Sequence, residues 1–235
     1  MKIFLGLKTG LFAGVLFFFT TVSAQAVQFE FSCITNNSSI DCGSGEAQLF
    51  VEVTAVDGQP NQVLFTFTNN GPLASSITAV YFDDGTLLGI ADTVNGAGVS
   101  FSQGATPPNL PGGKGLDPSF QVTAGFLADS NPPVQPNGVN PGESLGILFD
   151  LINGKTFDDT LAALTVAYSP DPNVDDLRIG IHVQGFANGG SESFVNNPSP
   201  INNPNPVPEP ATIVFMGTGL LGLAAYRRCR RKQTA

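Results

Sequence analysis

Apolar residues recur at every second position in several short stretches, and this alternation constrains the fold more than any other feature of the chain. In "VQFEFSC" (27–33), Val27, Phe29, Phe31 and Cys33 fall on one face, and "LFVEVTAV" (49–56) continues the pattern with β-branched residues. "QVLFTFTN" (62–69) is similar, with Gln59-Pro60-Asn61 as the turn before it. "ITAVYFDDGTLLGI" (77–90) is predicted to be a hairpin, two apolar runs joined across Asp84-Gly85. Further strands are expected at 120–126, 143–151 and 177–186. The segments 104–115 and 129–142, rich in Gly, Pro and Asn, are expected to be long surface loops. One short helix is predicted over 156–164, where Thr156 and Asp159 stand at the spacing of a capping box. Short strands separated by turn residues imply an all-β fold, a single β-sandwich domain over 27–195.

The two ends differ from this body. Lys2 and Lys8 precede an apolar run at 11–19, and Ala24-Gln25-Ala26 has the small–x–small form of a signal cleavage site. Residues 1–26 are therefore expected to be a signal peptide, taken up by the Sec translocon and removed by signal peptidase after Ala26. A Cys is thereby destined for an oxidising space, and Cys33 and Cys42, flanking the polar stretch "ITNNSSID", are expected to form a disulfide. Residues 196–207 are a Pro/Asn-rich linker. Beyond it, 211–226 is an apolar segment that spans about 24 Å as a helix, at about 1.5 Å per residue. Arg227, Arg228, Arg230, Arg231 and Lys232 follow and hold that end in the cytoplasm, so the precursor is expected to be anchored in the inner membrane.

"VPEPAT", an apolar helix and "YRRCRRK" in that order resemble the PEP-CTERM sorting signal of exported bacterial proteins. The resemblance spans 208–232 and implies that an exosortase recognises Pro208, Glu209 and Pro210 and removes the helix and its basic retention cluster. The two prolines fix φ and keep the motif out of the helix, which leaves an extended strand for a protease. Tails of this kind are also labelled ice-binding protein C-terminal domains, and the label carries no activity to the body. Residues 177–196 further resemble the closing strands of bodies found in many PEP-CTERM proteins. That likeness implies a cell-surface or biofilm exopolysaccharide-matrix role.

Charge sharpens the functional classes. Only Lys114, Lys155 and Arg178 of the 10 basic residues lie within 27–206, against 18 of the 19 acidic ones, a formal charge of −15. Such a field excludes nucleic acid and anionic membrane as partners and keeps an exported protein soluble. "DPNVDD" (171–176) sets Asp171, Asn173 and Asp175 at alternate positions, with Asp176 adjoining, in the manner of a calcium loop. Asp176 stands where an EF-hand has glycine and His182 where it has glutamate, so the remaining choice is a looser Ca²⁺ site or an Asx-rich turn. His182 is the single histidine, on the strand face shared with Gln184. No nucleophile-elbow, zinc-helix or phosphate-loop motif accompanies it, and no cofactor other than Ca²⁺ is indicated. With no Trp in the chain, an aromatic sugar platform is disfavoured. The expectation is a non-catalytic exported surface or matrix protein. Its rivals are a Ca²⁺-dependent glycan- or surface-binding adhesin using residues 171–176, and a hydrolase.

Overall fold

The computed structural model describes residues 25–201 apart from 106, 123–126, 167 and 170–174. The strands are β1 (Ala26–Cys33), β2 (Leu49–Val56), β3 (Gln59–Asn69), β4 (Ser76–Asp83), β5 (Leu87–Asn95), β6 (Phe101–Gln103), β7 (Leu127–Ser130), β8 (Ser144–Leu151), β9 (Arg178–Gln184) and β10 (Glu192–Asn196). The helices are α1 (Ser39–Gln48), α2 (Val134–Asn137) and α3 (Phe157–Thr165). The strands form one continuous sheet in the order β5-β8-β3-β2-β1-β10-β9-β4-β7-β6, with every ladder antiparallel.

The fold is all-β as expected, but it is a single bent sheet, nearly a barrel, where two stacked sheets were anticipated. The reason lies in β1. Its first half, Ala26 to Glu30, pairs with β2, and its last residues, Phe31 to Cys33, pair with β10. One strand thus serves both halves, and the sheet folds over it. The far edges, β5 and β6, meet through side chains instead of a ladder. Phe101 N–H donates to Asn95 Oδ1 (2.8 Å), Asn95 Nδ2 donates to the Phe101 carbonyl (3.3 Å), and Gln103 Nε2 donates to the Ile90 carbonyl (2.7 Å). These contacts occupy backbone groups that an open edge would offer to another chain.

Alternation places the core. Phe29, Val51, Val53, Phe65, Phe67, Ile147, Phe149, Ile179 and Ile181 point inward and are fully buried. Phe65, Phe82 and Phe149 meet edge to face, with centroids 4.6 to 5.6 Å apart, the arrangement aromatic quadrupoles favour.

Three local expectations are corrected. Residues 77–90 are no hairpin: β4 pairs with β9 and β7, β5 pairs with β8, and 84–86 carries the chain across the fold. Every position of β4 is buried, which requires an inner strand with both faces covered. The turn before β3 falls at Asp57-Gly58, where Gly58 takes φ +73°, and Gln59 already pairs with Val56. The stretch 104–115 is more than surface, since Leu110 joins Phe120, Ala79, Tyr81 and Val195 in a second small core on the outer face of β4 and β10. Of the strand expected at 120–126, residues 123–126 lie outside the described residues, and β7 begins at Leu127.

The helix expected at 156–164 is α3, and its capping box is formed: Asp159 N–H donates to Thr156 Oγ1 (3.3 Å) and Thr156 N–H to Asp159 Oδ2 (2.8 Å). Thr156→Ala is expected to lower stability by about 1 kcal/mol. Phe149→Ala, which empties the aromatic cluster, is expected to cost about 3–5 kcal/mol. Urea midpoints should separate the two at unchanged m-value.

Candidate functional site

Arg178 and Asp83 sit opposite each other where β9 begins and β4 ends. Arg178 Nη2 lies 2.5 Å from Asp83 Oδ2, with side-chain exposures of 12% and 8%. The guanidinium also donates to the carbonyls of Pro118 (2.9 Å) and Ser119 (2.9 Å), and Asp83 Oδ2 accepts from Gln121 N–H (2.9 Å). Arg178 Cζ lies 3.4 Å from the Tyr168 ring centroid and 5.1 Å from that of Phe120. Burial is the main cause that raises the Tyr168 hydroxyl above its usual range. This buried pair pins 118–121 and Tyr168 to one end of the sheet. Sequence reasoning passed over Arg178, and its signal was rarity, as one of three cations in the body.

Of the four residues proposed for a loose calcium loop, Asp171 and Asn173 lie outside the described residues. Asp175 and Asp176 have separate partners. Asp175 is ion-paired with Lys155 at an exposed position, a contact that raises the Lys155 pKa. Asp176 is buried, and its Oδ2 accepts Ser169 N–H at 2.5 Å.

His182 sits on β9 beside β10, with Nδ1 3.2 Å from Ser193 Oγ. Burial draws the imidazole below its ordinary pKa, opposed by a hydrogen bond with the Glu192 backbone and the charge of Glu192. Ser193 is fully buried, and its N–H donates to Thr35 Oγ1 (2.9 Å). A nucleophile must meet its substrate, so this serine and histidine make an internal polar contact. Neighbouring Glu192, 1% exposed, accepts from Thr35 Oγ1 (2.5 Å), Asn37 N–H (3.0 Å) and Ser38 N–H (2.6 Å). Beside it the expected disulfide, Cys33–Cys42, ties the end of β1 to α1 across a Cα–Cα distance of 5.4 Å. Cys33, Cys42 and Glu192 lie close enough to suggest a metal trio, but the bonded sulfurs have no thiolate to offer.

Of the residues assigned to processing, Ala26 is described. Ala26 opens β1 opposite Thr54, while Ala24, Pro208, Glu209, Pro210, the segment 211–226 and the cluster Arg227, Arg228, Arg230, Arg231 and Lys232 lie outside the described residues. Among the described residues no helix is long and apolar enough to cross a membrane.

Two measurements probe the body's charges. Arg178→Met, which strands a buried carboxylate, is expected to cost about 3–5 kcal/mol and to open 116–121 to limited proteolysis. For His182, the folded pKa lies below the unfolded value of about 6.5, so the unfolded state binds the proton first. The stability this group contributes is complete above that value and is lost as pH falls through the folded pKa. His182→Gln should flatten the decline in melting temperature just below pH 6.5.

Comparison with curated proteins and with solved structures finds no match. Residues 206–231 match the family model of the PEP-CTERM protein-sorting motif. They contain the Pro-Glu-Pro triplet and the basic residues through Arg231. The chain thus carries a PEP-CTERM sorting motif at 206–231, which implies an exported protein sorted by an exosortase.

Proposed function

We propose that the protein is a non-catalytic component of the cell surface or exopolysaccharide matrix, delivered in two cuts. Signal peptidase frees Val27 after Sec export, and the segment 211–226 then holds the precursor in the inner membrane with Arg227 to Lys232 inside. Exosortase cleaves at Pro208–Pro210 and releases the acidic β-domain. The observation that carries this reading is the match over 206–231, which follows the Pro/Asn-rich linker.

The body's termini support it. After β10, Asn197 N–H donates to the Glu30 carbonyl (2.7 Å) and Ile201 N–H to the Gln28 carbonyl (2.9 Å). The chain therefore leaves the body alongside the strand with which the mature protein begins. The first cut removes Ala26, opposite Thr54, and Gln25, whose carbonyl accepts the Ala55 N–H (3.2 Å), and it leaves the ladder of β1 with β2 from Val27 onward in place. The non-catalytic reading is supported by the polar groups of the body, whose principal charges bind each other or loop N–H groups.

Intact mass across fractions of the native host is the test. The expected product is released and runs from Val27 to the neighbourhood of Glu209. Glu209→Ala with Pro210→Ala, or loss of the exosortase, should leave the longer species in the membrane fraction. A wild-type protein that keeps Ala235 in the membrane would overturn the sorting step. A released protein that hydrolyses a member of a glycan or peptide panel would overturn the non-catalytic one.

A further inference from the structure

The dipeptide Asn-Gly occurs five times in the chain, at 70–71, 95–96, 137–138, 153–154 and 188–189. At such a step an asparagine side chain can close on the backbone, because glycine leaves the following N–H unshielded and the chain free to turn. Closure needs a released Asn side chain, an unbonded Gly N–H and a backbone able to rotate. The fold meets these conditions very unequally.

Three of the five are tied at both reacting groups. Asn95 Nδ2 donates to the Phe101 carbonyl (3.3 Å), its Oδ1 accepts the Phe101 N–H (2.8 Å), and Gly96 N–H donates to the Ser144 carbonyl (3.1 Å). Asn137 Nδ2 donates to the Asn131 carbonyl (2.9 Å), and Gly138 N–H to that of Gln135 (3.2 Å). Asn188 Oδ1 accepts the Gly190 N–H (3.0 Å), and Gly189 N–H donates to the Phe186 carbonyl (2.7 Å). Asn70 is exposed, but the chain around it is clamped by Gln48. Asn70 N–H donates to the Gln48 carbonyl (2.8 Å), and the Gln48 side chain bridges the N–H (3.2 Å) and carbonyl (2.8 Å) of Leu73. A Cβ on Gly71 would lie 2.0 Å from Gln48 Oε1, so this step is packed as well.

Asn153 differs on every count. It is exposed, in the turn between β8 and α3, and among the described residues neither its side chain nor the Gly154 N–H has a hydrogen-bond partner. Asn153 and Gly154 take φ +48° and +72° at the centre of a turn closed by Lys155 N–H to the Ile152 carbonyl (2.8 Å). A Cβ built on Gly154 meets nothing within 4 Å. Breaking one hydrogen bond therefore frees this turn, with no side chain to displace.

We propose that Asn153 is a site of spontaneous deamidation. The Gly154 nitrogen gives its proton to solvent base and attacks Asn153 Cγ. The bond from Cγ to the side-chain nitrogen breaks, ammonia leaves, and a succinimide remains. Water then opens the ring. Attack at Cγ restores the main chain with an aspartate, and attack at the α-carbonyl leaves an isoaspartate whose backbone runs through Cγ. In sum, water is consumed, ammonia is released, and an amide becomes a carboxylate. The new charge lies beside Lys155, the partner of Asp175, and just ahead of the capping box of α3. The modification is independent of sorting, and it records the protein's age in the charge of one turn.

Incubation of the protein purified from its host at pH 8 and 37 °C, with peptides followed by mass spectrometry, is the test. In the folded protein the peptide holding Asn153 should convert to aspartyl and isoaspartyl forms about tenfold faster than the other four, which must first give up further hydrogen bonds or unpack Gln48. In urea all five should convert at comparable rates. Asn153→Gly, which suits the same backbone, should abolish the first acidic isoform seen on isoelectric focusing. Folded-state conversion at Asn153 no faster than at the other four would overturn the site. So would an early acidic isoform that persists in Asn153→Gly, or a lead at Asn153 that survives unchanged in urea and so owes nothing to the fold.

Discussion

The hand-over of β1 from β2 to β10 is the constraint on which the rest of the fold depends. Phe29 and Phe31 both point into the core, yet the backbone between them changes partner at Glu30 and Phe31. Two sheets that share a strand cannot slide past each other, so the inward rows of each half keep a fixed register across the core. That register brings Phe82 of one half against Phe65 and Phe149 of the other. The same hand-over leaves a free flank on the first half of β1, which residues 197–201 occupy. Terminal adjacency and core register therefore have one cause, and a residue inserted in β1 would disturb both by turning one half's side chains to the wrong face.

Much of this was legible because period-2 alternation survives wherever one face meets the core and the other meets solvent. β1, β2, β3 and β8 read cleanly for that reason, and Thr156 and Asp159 announced α3 through purely local chemistry. Legibility failed where a second layer intervened. β4 is buried throughout because Leu110 and Phe120 cover its outer face, and its apolar run at 79–82, shortly before Asp84-Gly85, is locally indistinguishable from half a hairpin. Gly85 belongs to packing instead: a Cβ there would strike the backbone of Asp176, far along the chain. α1 was illegible for the opposite reason. Its sequence, SIDCGSGEAQ, has two glycines and no apolar stripe, and tertiary contacts hold it, namely the disulfide and the seating of Gly45 on the Phe194 ring.

The site chemistry divided in the same way. The sorting motif is a contiguous signal, readable without any fold. Arg178 with Asp83, and Glu192 with Thr35 and Ser38, join positions about 95 to 160 residues apart in chain order, and only the topology brings them together. The calcium-loop spacing at 171–176 shows the converse risk. Its alternation is local, while Asp175 and Asp176 turn to Lys155 and to the Ser169 backbone.

A body with so few cations must satisfy its carboxylates in some other way, and it does so with loop backbone. Glu192 takes the N–H groups of Asn37 and Ser38, Glu46 that of Cys33, Glu143 that of Asn140, Asp176 that of Ser169, and Asp83 that of Gln121. Each of these acidic residues fixes a loop or a strand end, Asp83 together with its partner Arg178. A charge-assisted N–H bond of this kind is stronger than a neutral one, and its partly buried members are screened by salt far less than a surface ion pair. Cross-links built on N–H donors also leave the molecule's net negative charge undiminished, which a lysine partner would not. High net charge and ordered loops, ordinarily in conflict through self-repulsion, are thereby reconciled in one body. Within this scheme Asp41 is the instructive exception. The Ser38 N–H it would have used already serves Glu192, and the positive end of α1 is what its buried carboxylate meets instead.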